Sequence, residues 1–156
     1  MYKRFYQEFM SNNFVTKSVK HSEFKDKVTS EEIIIGGPQY QHSAKAVKAK
    51  IHRLTSHLHS TPQPCLIFYH GGHGCAGSYA DYSPIVDRYS VECQATVISV
   101  NYRLAPDHKV PSGMIDAFAA FRWVMEPENA KELDIDLNHV AIFGDDAGAW
   151  IAMAVS

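Results

Sequence analysis

The 156-residue sequence has no apolar run near the ~18 residues that a membrane-crossing helix requires, and no charged-then-apolar leader at its start. Neither a membrane span nor an export signal is therefore expected. Positive charge is not in surplus either: 15 Lys and Arg against 17 Asp and Glu leave a net charge of -2. That balance gives no electrostatic footprint for nucleic acid and no polybasic membrane patch. Cysteine is scarce, with Cys65, Cys75 and Cys93 odd in number and outside C-x-x-C spacing. That pattern suits reduced thiols in a cytoplasmic protein better than a disulfide or zinc framework. Internal repeats and low-complexity tracts are missing as well.

What is present is an ordinary globular balance of apolar, charged and aromatic residues, organised in alternating patterns. Tyr2, Phe5, Tyr6, Phe9 and Met10 make one apolar stripe at helical spacing, and a polar, mixed stretch follows to Ser30. Glu31 to Ile35 is a β-branched strand candidate ended by Gly36, Gly37 and Pro38, and Ala46 to Leu54 alternates as a second strand. The run from Cys65 to Tyr69 is continuously apolar, as in a strand buried on both faces of a parallel sheet, and it leads straight into His70-Gly71-Gly72-His73-Gly74. Tyr82 to Glu92 is a helix candidate, and Ala95 to Val100 another buried strand. Met114, Phe118, Phe121 and Met125 recur at helical spacing behind Pro111 and Ser112. Val140 to Phe143 predicts a further buried strand entering Gly144-Asp145-Asp146-Ala147-Gly148. Strands alternating with helices predict an α/β fold with a mostly parallel sheet.

Three blocks in this order carry a specific signal. They are Ile67 to Gly72, then Val100-Asn101-Tyr102-Arg103-Leu104-Ala105-Pro106-Asp107-His108, then the pentad Gly144 to Gly148. Together they resemble the hormone-sensitive-lipase-like esterases of the α/β-hydrolase fold. The resemblance covers most of the chain from Glu31 onward. It implies residues 1–30 as an N-terminal cap segment and 31–156 as the N-terminal half of a hydrolase domain, truncated after the nucleophile elbow. It also implies carboxylic ester hydrolysis on small acyl esters, with no cofactor. In this reading Gly71, Gly72 and His73, with Ala147, offer backbone N–H groups to an oxyanion hole. His70, Gly144, Asp145 and Gly148 support the two turns. One departure is His73, which stands where the family has a third glycine.

The second departure is Asp146, at the position of the nucleophilic serine. An ionised carboxylate there would oppose an oxyanion about 4 Å away by up to ~4 kcal/mol at an effective dielectric of 20, which is roughly a thousandfold in rate. The family's triad also runs nucleophile, acid, histidine, and none of the nine histidines follows Asp146. The chain is therefore expected to be incompetent alone as an esterase. Two alternatives stay open: a non-catalytic relative that binds a ligand or partner, and a hydrolase using Asp146 itself as nucleophile on an epoxide or alkyl halide. Against the latter, Ala147 stands where such enzymes carry a tryptophan, and Trp150 is expected in the core. The unpaired edge of the Val140–Phe143 strand predicts self-association or a complementing C-terminal half. Clusters of histidine, His70 with His73 or His52 with His57 and His59, are not expected to hold metal. The first pair is explained by the loop, and the second lacks a nearby carboxylate or cysteine. Arg103 and Asp107 are expected to brace the loop after their strand.

Overall fold

In the computed structural model, residues 24–36, 46–57 and 62–156 are described. The amphipathic stripe from Tyr2 to Met10 lies outside them, as does His59. Among the described residues five strands form: β1 (Val28–Ile35), β2 (Val47–Leu54), β3 (Gln63–Tyr69), β4 (Thr96–Asn101) and β5 (Ile135–Gly144), with β-branched residues densest in β1 and β4. Four α-helices alternate with the later strands: α1 (Tyr79–Cys93), α2 (Ser112–Met125), α3 (Pro127–Glu132) and α4 (Ala147–Val155). The sheet order is β1-β2-β4-β3-β5. β3 pairs in parallel with β4 and β5, whereas β1 with β2 and β2 with β4 are antiparallel. The sheet is thus mixed, with its parallel half at the end that carries the glycine-rich turns.

Two apolar layers cover the sheet. On one face Ile67, Tyr69, Ile98 and Val100 pack with Ala117, Ala120, Val124, Ile151 and Val155 of α2 and α4. On the other, Phe68 and Val97 pack with Tyr82 and Val86 of α1. Consecutive residues of β3 and β4 feed opposite layers, as the two-residue period of a strand requires.

The helix expected behind Pro111 and Ser112 is α2; its large residues Met114 and Phe118 are exposed, and it turns Asp116, Ala117, Ala120 and Val124 inward. Small side chains let α2 approach the sheet closely, Phe121 packs partly buried against the core, and Met114 and Phe118 are left outside. Two sequence expectations are corrected by the packing. Trp150 is 71% exposed rather than core. α4 buries Gly148, Ile151, Ala152 and Val155, an i, i+3, i+4, i+7 stripe that excludes position 150. β5 is longer than its apolar run and only partly buried, because β3 is its single neighbour. Among the described residues no strand pairs with its outer edge.

Candidate active site

β3 and β5 end side by side, with Tyr69 in register with Gly144, so the two turns that follow them meet at the same edge of the sheet. The turn after β5 is tight. Asp145 N–H donates to the Tyr69 carbonyl at 3.2 Å, and Gly148 N–H donates to the Asp145 carbonyl at 2.7 Å as α4 begins. A Cβ on Gly148 would collide with the Tyr69 carbonyl, and one on Gly144 with the Gly148 carbonyl. Only glycine lets strand and helix pack this closely. Asp146, between them, has φ 48° and ψ -115°, a conformation costly for an L-residue with a side chain.

The turn after β3 is held from beneath. His70 is fully buried, its ring stacks on Tyr102 with centroids 4.5 Å apart, and its Nδ1–H donates to the Gly71 carbonyl at 2.8 Å. Burial lowers the His70 pKa, against the Gly71 hydrogen bond and the Asp81 charge, and keeps the ring neutral. Tyr102 Oη donates to the His70 carbonyl at 2.5 Å. Gly72 holds φ 117°, and a Cβ there would collide with the Ala76 carbonyl. His73 follows with φ 54°, so a non-glycine residue does occupy the left-handed position.

These two turns converge on one atom. Asp146 Oδ2 accepts the Gly72 N–H at 3.0 Å and the His73 N–H at 2.8 Å, and the His73 ring Nδ1 lies 3.1 Å away. The carboxylate does not cap α4; it reaches across to the glycine-rich turn. Burial pushes the Asp146 pKa up, but the N–H groups of His73, Gly72 and Ala147 outweigh it, with help from the His73 ring, and hold it below the ordinary carboxylate value. Of the residues expected to offer N–H groups here, Gly72, His73 and Ala147 face Asp146. Gly71 makes no such bond and instead packs against the Tyr82 hydroxyl and Asp145.

Several partners were not foreseeable from the motifs. Asp145 Oδ2 accepts from Tyr82 Oη at 3.1 Å, tying the elbow to α1. Burial first, then the Asp145 charge, raises the Tyr82 pKa. Arg103 does brace its loop, through Asp116: Nε and Nη2 each lie 2.7 Å from a carboxylate oxygen, and the backbone N–H of Arg103 adds a third bond at 2.9 Å. His52, whose surroundings were expected to lack a carboxylate, meets Asp87 at 2.6 Å on the α1 face. No group of three metal-ligating side chains occurs among the described residues. A cavity of about 260 Å³ opens beside Asp146, between the 102–114 segment and α4, with His73, Tyr102, Met114, Ala147 and Trp150 in its wall.

Comparison with known proteins places this arrangement. The α/β-hydrolase-fold family model matches residues 66–156. A carboxylesterase of Mycobacterium tuberculosis is 42% identical over 93 residues, covering 60% of this chain and 28% of that protein. The 2-hydroxyisoflavanone dehydratase of Glycyrrhiza echinata is 32% identical over an alignment covering 94% of this chain and 46% of the relative. The Pyrobaculum calidifontis esterase structure superposes with a TM-score of 0.78 at 28% identity, covering 97% of this chain and 46% of that one. The chain thus spans less than half the length of these relatives. No helix among the described residues is long and apolar enough to cross a membrane. With the fold, the paired turns and these matches in agreement, the chain belongs to the hormone-sensitive-lipase-like esterase family of the α/β-hydrolase fold.

Proposed function

We propose that this chain keeps the carbonyl-binding cradle of a carboxylesterase but fills it with its own side chain, so that serine-type ester hydrolysis does not proceed. The carrying observation is the pair of N–H bonds from Gly72 and His73 to Asp146 Oδ2, at 3.0 and 2.8 Å. Two convergent N–H donors suit a developing oxyanion on an acyl ester, and a tethered carboxylate oxygen offers them the same charge and geometry. A substrate carbonyl would have to displace it. This obstruction adds to the loss of the serine hydroxyl.

The same contact weighs against Asp146 as a nucleophile toward an epoxide or alkyl halide. An oxygen that accepts several hydrogen bonds is a poorer attacking group. The runner-up is a ligand-binding role, favoured by the 260 Å³ cavity whose walls include Trp150 and Met114. A relative whose name denotes a dehydratase is consistent with a scaffold not confined to ester cleavage.

A chimaera tests the reading. Residues 66–156 replace the matching segment of the Pyrobaculum calidifontis esterase, once with Asp146 and once with Asp146→Ser, and p-nitrophenyl butyrate hydrolysis is followed in both. The Ser form should turn over substrate, and the Asp form should be slower by about a thousandfold or more. Comparable rates in the two folded forms would overturn the proposal. A folded but inert Ser form would favour the binding role.

A further inference from the structure

Away from Asp146, the α1 face of the sheet carries a polar cavity of about 410 Å³. Lys25, Ser30, Lys50, Ser83 and Asp87 line it together with small apolar side chains, and no aromatic ring does. The two-residue period of β1 and β2 puts Ser30 and Lys50 on one face, and α1 brings Ser83 and Asp87 onto it. Lys50 is half-buried, and its Nζ lies 3.5 Å from Ser83 Oγ, so its charge stands inside the cavity beside the first turns of α1. Ser83 Oγ in turn donates to the Tyr79 carbonyl at 3.0 Å. A helix N-terminus carries partial positive charge, so this is an unfavourable place for an ammonium without an anion. No carboxylate relieves it. Glu32, opposite Lys50 in the β1–β2 register, is hydrogen-bonded with the Tyr79 side chain, and Asp87 meets His52 Nδ1 at 2.6 Å. Lys25 adds a second ammonium at the rim, and among the described residues neither lysine has an ion pair.

We infer that this cavity binds a small phosphate monoester with a hydroxylated body, of the sugar phosphate class, its phosphate drawn to Lys50 and Lys25 and its hydroxyls to Ser30 and Ser83. A phosphate monoester carries about -1.5 to -2 charge at pH 7 and three strong acceptor oxygens, which complements two ammonium groups that lack a carboxylate. A monocarboxylate would balance only one of them. Serine hydroxyls donate and accept, and so suit the hydroxyls of a sugar, whereas an aryl or nucleobase body would find no ring to stack on. A bare phosphate ion would leave most of the cavity unfilled. The Asp87 carboxylate, held by His52, bounds the site on the α1 side and favours the hydroxylated end of the ligand there. None of these residues belongs to the turns around Asp146, so the inference stands apart from the proposed function.

Glucose 6-phosphate, glucose and inorganic phosphate are titrated into the ¹⁵N-labelled chain at pH 7.5 and low salt, with the Ala80 and Ser83 amides as local readout. Glucose 6-phosphate should shift both signals, with an affinity at least about tenfold above that of glucose and about fivefold above that of inorganic phosphate. Lys50→Gln should lower that affinity about tenfold and Lys25→Gln about threefold, while Lys109→Gln, outside the cavity, should leave it within about twofold. Lys50→Arg keeps the charge and should retain most of the binding. The amides of β3 and β4 report that each variant is folded. Glucose or inorganic phosphate binding as tightly as the sugar phosphate, unchanged affinity in both glutamine variants of the cavity, or no movement of the Ala80 and Ser83 signals would overturn the inference.

Discussion

His73 Nδ1 lies 3.1 Å from Asp146 Oδ2, and the two residues hold φ angles of 54° and 48°. Each departs from the family's residue at its position, and each stands in a backbone region that disfavours side chains. The departures meet in one contact. A carboxylate that gathers two backbone N–H groups and an imidazole offsets part of the strain that both positions carry, so the pair is best understood as mutually supporting.

Acid should expose this support. Because the folded state holds the Asp146 pKa below its ordinary 3.8, its contribution is present above the unfolded pKa and lost as pH falls through the lower folded value. The carboxylate is partly exposed, so the contribution is modest, about 0.5–1 kcal/mol after solvent screening. Urea denaturation of wild type and Asp146→Asn should show a constant stability gap from pH 5 to 7 that closes below about pH 4. A gap independent of pH would count against the contact.

The elbow's glycines make a sharper prediction. Gly148→Ala should destabilise by about 3 kcal/mol, since its Cβ meets the rigid Tyr69 carbonyl. Gly74→Ala should cost only about 1–2 kcal/mol, because the position has φ 69° but no atom within 4 Å of the added carbon. Thermal melts of the two variants distinguish steric collision from backbone preference.

The loop that lines the cavity depends on Arg103 and Asp116. Asp116 is 2% exposed and accepts three bonds from Arg103, so Asp116→Ala should cost about 3 kcal/mol by leaving the guanidinium unpaired. Arg103→Lys keeps the charge but loses the two-pronged geometry, and a smaller loss of about 1–2 kcal/mol is expected. No loss in Arg103→Lys would mean that charge alone matters there.

Much of this was legible in the chain itself. Cys65 to Tyr69 and Ala95 to Val100 announced buried strands because continuous apolar runs fit a sheet covered on both faces. Val140 to Phe143 read the same way, yet its strand is an edge, since composition does not count neighbours. α4 misled for a related reason: bulk pointed to Trp150, while close approach to the sheet selected Gly148 and Ala152. The two site turns were marked by their glycines. The Asp146 contact was not, because residues 73 positions apart carry no local sign that one will bond the other. The Arg103–Asp116 pairing carried no local sign either, for the same reason.

Hydrogen exchange at the Gly72 and His73 amides tests the central claim most directly. If Asp146 Oδ2 holds both N–H groups, each should exchange at least about tenfold more slowly in wild type than in Asp146→Ala, with the amides of β3 and β4 unchanged as an internal control. Equal exchange in the two proteins would mean that the carboxylate does not occupy the cradle, and the account of Asp146 as its own occupant would fail.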